Sequence, residues 1–131
     1  MSALTKMLEN MIDYNCKVIS HDEFMYKNGT IYIATNEVYM DNLDWKAFLK
    51  REYGFDLTRK NWFVMSVLHE LGHHFTLDAF TVEETAKSQR ECEDPVEHYI
   101  EPVERAATEW AIEYYNTHGM DVWNKEVMAM L

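Results

Sequence analysis

Apolar side chains recur at helical intervals from the start of the chain. Leu4, Met7, Leu8, Met11 and Ile12 share one face, after candidate caps at Ser2 or Thr5. The period then shortens. Cys16 to Ile19 reads as a short strand, and Asn28-Gly29 is a strong turn signal before the β-rich run Thr30-Ile31-Tyr32-Ile33-Ala34. Residues 16–20 and 23–40 are therefore expected to form a small antiparallel sheet. Asp41 to Tyr53 returns to helical spacing, with Leu43, Ala47 and Phe48 on one face and Gly54 as the stop.

A further helix is expected to start at Thr58 or Asn61. Trp62, Phe63, Val64, Met65, Val67, Leu68, Leu71 and Phe75 make it apolar nearly all round, the mark of a buried helix. Residues 77–94 are polar and acidic with little periodicity, which predicts a long surface loop with room for a helical turn. Asp94-Pro95 and Glu101-Pro102 are helix-start signals. Val103, Ala106, Ala107, Trp110, Ala111 and Tyr114 mark one face of a helix from Pro102 to Asn116. Gly119 ends it, and Asp121 to Leu131 is a last amphipathic helix. The pattern predicts one α+β domain over residues 1–131. It is mainly helical, with a sheet-containing part over 1–54 and a small antiparallel sheet beside the central helix.

Composition narrows the class. At 131 residues, with 47% hydrophobic and 14% aromatic side chains, the chain can bury a sizeable core. A formal net charge of −11 argues against affinity for nucleic acid or an anionic membrane and makes basic partners more plausible. The stretch Met1 to Asn10 has charges inside an amphipathic pattern and no secretory signal. No apolar run approaches the ~20 residues of a membrane span. The expected compartment is the cytoplasm, with Cys16 and Cys92 reduced and without the spacing of a zinc knuckle.

The polar exception on the central helix is the run His69-Glu70-Leu71-Gly72-His73-His74. Residues four apart on a helix project from one face, so His69 and His73 can hold one metal ion. Glu70 can reach a water on that metal without being a ligand. Zinc lowers the pKa of such a water to about 7, and a carboxylate base completes its activation. A buried helix carrying these groups needs a reason for them, because unpaired buried polar groups are costly. His74 points about 100° away from His73 and is read as structural. His98 and His118 are read as surface residues with access to the cleft left open.

A catalytic zinc takes a third protein ligand. The metzincin pattern needs Gly at 76 and His at 79, where this chain has Thr76 and Ala79. Glu97, Glu101 and Glu104 are the candidates on the following helices. Glu104 is preferred: it lies in the first turns after Pro102, and its face continues through Ala107, Thr108 and Ala111. Small alanines let two helices approach, and Thr108 can hydrogen-bond a ligand from behind. Glu101, at the helix start, is better suited to capping.

The tract Trp62 to Phe75 with His-Glu-Leu-Gly-His, followed by Glu104-Arg-Ala-Ala-Thr-Glu-Trp-Ala111, resembles the ImmA/IrrE family of small zinc metallopeptidases. The family pattern is His-Glu-x-x-His and, on the next helix, Glu-x-x-Ala-(Asn or Asp)-x-Phe-Ala. The resemblance implies zinc ligands His69, His73 and Glu104, with Glu70 as catalytic acid and base. Thr108 departs from the usual Asn or Asp, and no Met-Pro pair follows Trp110-Ala111. The resemblance also implies a minimal metalloprotease fold and a substrate of regulatory type, a basic DNA-binding repressor in a phage or mobile-element setting. The leading expectation is a Zn2+-dependent endopeptidase with no direct nucleic-acid or membrane binding. The alternative is a non-catalytic, metal-stabilised module that antagonises its partner by binding alone.

Overall fold

The computed structural model describes residues 2–12, 16–88 and 95–131. Helix α1 (Ser2–Ile12) leads to strands β1 (Lys17–His21), β2 (Met25–Lys27) and β3 (Thr30–Ala34). A 3-10 turn at Tyr39–Asn42 runs into α2 (Leu43–Tyr53), and the central helix α3 spans Trp62–Thr76. A second 3-10 turn at Leu77–Ala79 precedes the short helices α4 (Val82–Ser88) and α5 (Pro95–Tyr99). Helices α6 (Pro102–Thr117) and α7 (Asp121–Met130) complete an α+β, mainly helical fold.

The sheet is where expectation and structure part. Asn28 and Gly29 both have positive φ, 49° and 80°, the conformation of a tight primed turn. That turn joins β2 to β3 antiparallel, with Tyr26 opposite Ile31. Strand β1, however, lies against the other edge of β3 and runs parallel to it, Val18 facing Ile31. The order is β1-β3-β2, so the sheet is mixed rather than purely antiparallel. A hairpin signal specifies only the strands it joins. The place of β1 follows from burial: Val18, Ile31 and Ile33 join Leu4, Leu8 and Ile12 of α1 in one core. Helix α1 packs against β1, and Glu9 accepts a hydrogen bond from the Val18 N–H at 3.1 Å. That bond covers an outward N–H of an edge strand.

The loop expected over 77–94 carries more helix than a single turn. Thr81 Oγ1 accepts from the Glu84 N–H at 3.1 Å, and Glu84 accepts from the Thr81 N–H at 3.0 Å. This reciprocal capping box starts α4, which packs on α6. The rest of that stretch, 89–94 with Cys92, lies outside the described residues. Cys16 is buried and makes no disulfide. Among the described residues no helix is long and apolar enough to cross a membrane.

Helix α3 is the centre of the core. Every residue from Asn61 to Leu68 is buried, as are Glu70 to His73. The α3–α6 crossing fixes the geometry of everything that follows. Gly72 faces Ala107 so closely that a Cβ on it would lie 2.5 Å from the Ala107 carbonyl oxygen. The two backbones touch there, and one turn earlier on α6 stands Glu104.

Candidate metal centre

The α3–α6 contact brings together the residues that the motif singles out. Glu104 Oε1 lies 3.0 Å from His69 Nε2 and 3.2 Å from His73 Nε2. Donor atoms of His69, His73 and Glu104 all fall within 4.8 Å of one another, and the group can hold a metal ion. Tetrahedral zinc, with bonds of about 2.0–2.2 Å, places its ligand atoms about 3.3 Å apart. Two imidazole nitrogens and one carboxylate oxygen at these separations fit that ion.

Each donor is held from behind. Thr108 Oγ1 is 3.1 Å from His69 Nδ1, which aims Nε2 at the centre. Trp45 from α2 packs T-shaped with the same imidazole at 5.7 Å between ring centres. Glu104 sits in the first turn of α6 behind Pro102, where the helix end favours negative charge. Replacing Thr108 with Val should lower metal affinity about 10–100-fold, the usual loss when such a support is removed. Titration against a competing chelator measures it.

Burial and charge set the protonation states. Burial alone would raise the Glu104 carboxyl. Hydrogen bonds from His69, His73 and His98 outweigh it and hold the group well below the usual carboxylate range. For His73 burial opposes the charged form, yet the Glu104 contact prevails and raises its pKa. Burial pushes Glu70 up; His69 and His73 pull it back, and the Glu104 charge adds to the rise. Two carboxylates thus stand together in an apolar core, an arrangement that a bound dication would relieve.

Compared with protein-family models, curated proteins and solved structures, the chain matches none.

The centre opens on a cleft of about 950 Å³. His69, Glu70, His73 and Glu104 line it, facing Met25 and Tyr26 of the β2 edge, with Trp45 on another wall. His74 turns away, as expected, and its Nδ1 lies 2.8 Å from Tyr26 Oη, tying α3 to β2. His118 is exposed and stacks on Tyr114 at 3.7 Å. Glu97 is exposed, and Glu101 takes the N-cap position of α6 without a side-chain capping bond. Glu104→Ala should therefore weaken zinc binding by more than the 10–100-fold expected for a supporting residue. Glu101→Ala should leave it nearly unchanged, and metal titration of both variants would reveal a reversed ranking.

Of the two histidines whose access to the cleft the sequence leaves open, the structure brings His98 to the centre. Its Nε2 lies 3.3 Å from Glu104 Oε1, and that contact raises its pKa against the opposing effect of burial. A signal for this was present. The residue before a proline is held extended, and Glu101 has ψ 138°. The chain reverses there, the Glu101 N–H bonding the His98 carbonyl, so α5 folds back beside the first turn of α6.

Proposed function

We propose that the protein is a zinc-dependent endopeptidase acting on a basic, repressor-like regulatory protein. The observation that carries this reading is the convergence of His69, His73 and Glu104 with Glu70 in the wall of one cleft. Bound there, zinc supplies the Lewis acidity that polarises a peptide carbonyl and eases deprotonation of water. The chain's own groups divide the remaining work. His69, His73 and Glu104 hold the metal, and Thr108 keeps His69 aimed. Glu70 takes the proton of the attacking water and hands it to the leaving amine. Its burial favours this role, since a raised pKa makes the carboxylate a stronger proton acceptor.

The ImmA/IrrE resemblance supports the choice of a regulatory substrate, and the net charge of −11 is complementary to a basic one. A purely structural metal would be served by a closed set of four ligands. The group here offers three donors beside a cleft.

The purified protein is expected to carry about one zinc per chain. It should cleave its repressor partner, stop when a chelator removes the metal, and resume when zinc is restored. A folded preparation that takes up no zinc would overturn the assignment.

A further inference from the structure

A peptidase cleft needs, besides its metal and its base, a hydrogen-bond donor for the oxygen that gains charge as the carbonyl is attacked. Several polar groups line this cleft, and most are already engaged. Tyr26 Oη is 2.8 Å from His74 Nδ1 and accepts from the Gly29 N–H at 3.0 Å. Ser66 Oγ donates to the Trp62 carbonyl at 2.8 Å. Tyr99 packs its ring on Phe48.

His98 is engaged at the metal position itself. Its Nε2 sits 3.3 Å from Glu104 Oε1, yet it is not one of the three residues whose donor atoms cluster within 4.8 Å. It stands beside the metal position without belonging to the ligand set. Its side chain is 38% exposed, against 13% for His69 and 10% for His73 and Glu104, so of these groups it is the most open to solvent. A carboxylate oxygen accepts and does not donate, so Nε2–H faces Glu104; at 3.3 Å this is the longest of the three histidine contacts to that oxygen, against 3.0 and 3.2 Å, and the one most readily shared with a second acceptor. Its position is also built in. Tyr99, the next residue, lies against Phe48 with ring centres 5.3 Å apart, and α5 packs on both α2 and α6.

We propose that His98 is a further catalytic residue of this cleft, whose Nε2–H donates a hydrogen bond to the carbonyl oxygen of the peptide bond under attack. The assignment rests on the endopeptidase reading for the identity of that oxygen. His98 keeps its proton throughout; no bond to it forms or breaks.

Three proteins test this: the native chain, His98→Ala and His98→Gln, the last keeping an N–H donor at the side-chain end. Zinc affinity, measured by chelator competition, should stay within about 10-fold across all three, because His69 and His73 still hold Glu104. A ligand or a positioning residue for Glu104 would instead shift it by about 10-fold or more. With cobalt(II) loaded in place of zinc, acetohydroxamate binding is read from the visible spectrum. His98→Ala should weaken it about 10-fold, and His98→Gln should recover part of the loss. On the peptide substrate, kcat should fall about 10²–10³-fold in His98→Ala with KM little changed. The proposal is overturned if His98→Ala binds acetohydroxamate as the native chain does, or if its zinc affinity collapses along with that of Glu104→Ala. The acetohydroxamate arm needs no proteolysis. If the native protein binds metal and probe but cleaves nothing, the endopeptidase reading falls while the weakened probe binding of His98→Ala still upholds the donor role.

Discussion

Gly72→Ala is expected to unfold or loosen the metal centre although it adds a single methyl group outside it. On an exposed helix the change would stabilise by about 1 kcal/mol, because alanine is the better helix former. Here the new Cβ would meet the Ala107 carbonyl oxygen at 2.5 Å and its Cα at 3.0 Å. Both are backbone atoms in the middle of α6, so no side chain can swing aside. The helices must part by roughly an ångström, and overpacking of this kind costs about 1–3 kcal/mol. The larger effect is on binding. Glu104 rides on the same helix one turn before Ala107, and its 3.0 and 3.2 Å separations from the two imidazoles widen with the crossing. Lower thermal stability together with zinc affinity reduced by more than 10-fold is the expected pair of results. A variant that melts like the native chain and binds zinc as tightly would show that the α3–α6 contact does not set the ligand geometry.

That glycine shows what was and was not legible in the sequence. The helices could be read because each buries a face whose spacing is local: Leu4, Leu8 and Ile12 in α1, or Val103, Ala107 and Ala111 in α6. The ligand set was legible for a related reason. His69 and His73 share a helix face, and Pro102 with the alanines marked where a second helix starts and how closely it can pack. Gly72 lay inside the motif, yet its role depends on Ala107, 35 positions away, and nothing in either residue's neighbourhood announces the other. The parallel pairing of β1 was hidden for a similar reason, since it is decided by what Val18 buries and not by any turn. The capping box at Thr81 and Glu84 is a different case. It was written in four consecutive residues and was outweighed by the polar composition around it. His98 lies between the two, for its route to Glu104 passes through the reversal at Glu101-Pro102.

Glu70→Gln should abolish cleavage while leaving the metal in place. Glu70 is not among the residues whose donor atoms cluster around the metal position, so the amide should not reduce zinc content. Nor should it damage the fold. Glu70 is 7% exposed, its pKa is raised by burial, and the amide keeps its shape while removing a charge that repels Glu104. The amide cannot take a proton from water at neutral pH, and its N–H groups are far too weakly acidic to protonate the leaving amine. General acid–base catalysis is worth about 10²–10⁴ in rate, and one residue here serves both transfers. The variant should therefore bind its repressor partner, carry about one zinc per chain, and leave the partner intact. In cells, repression should persist when the Gln variant replaces the native protein. Relief of repression by the variant as efficient as by the native chain would mean that binding alone accounts for the activity, and Glu70 would then be a buried acid without a chemical role.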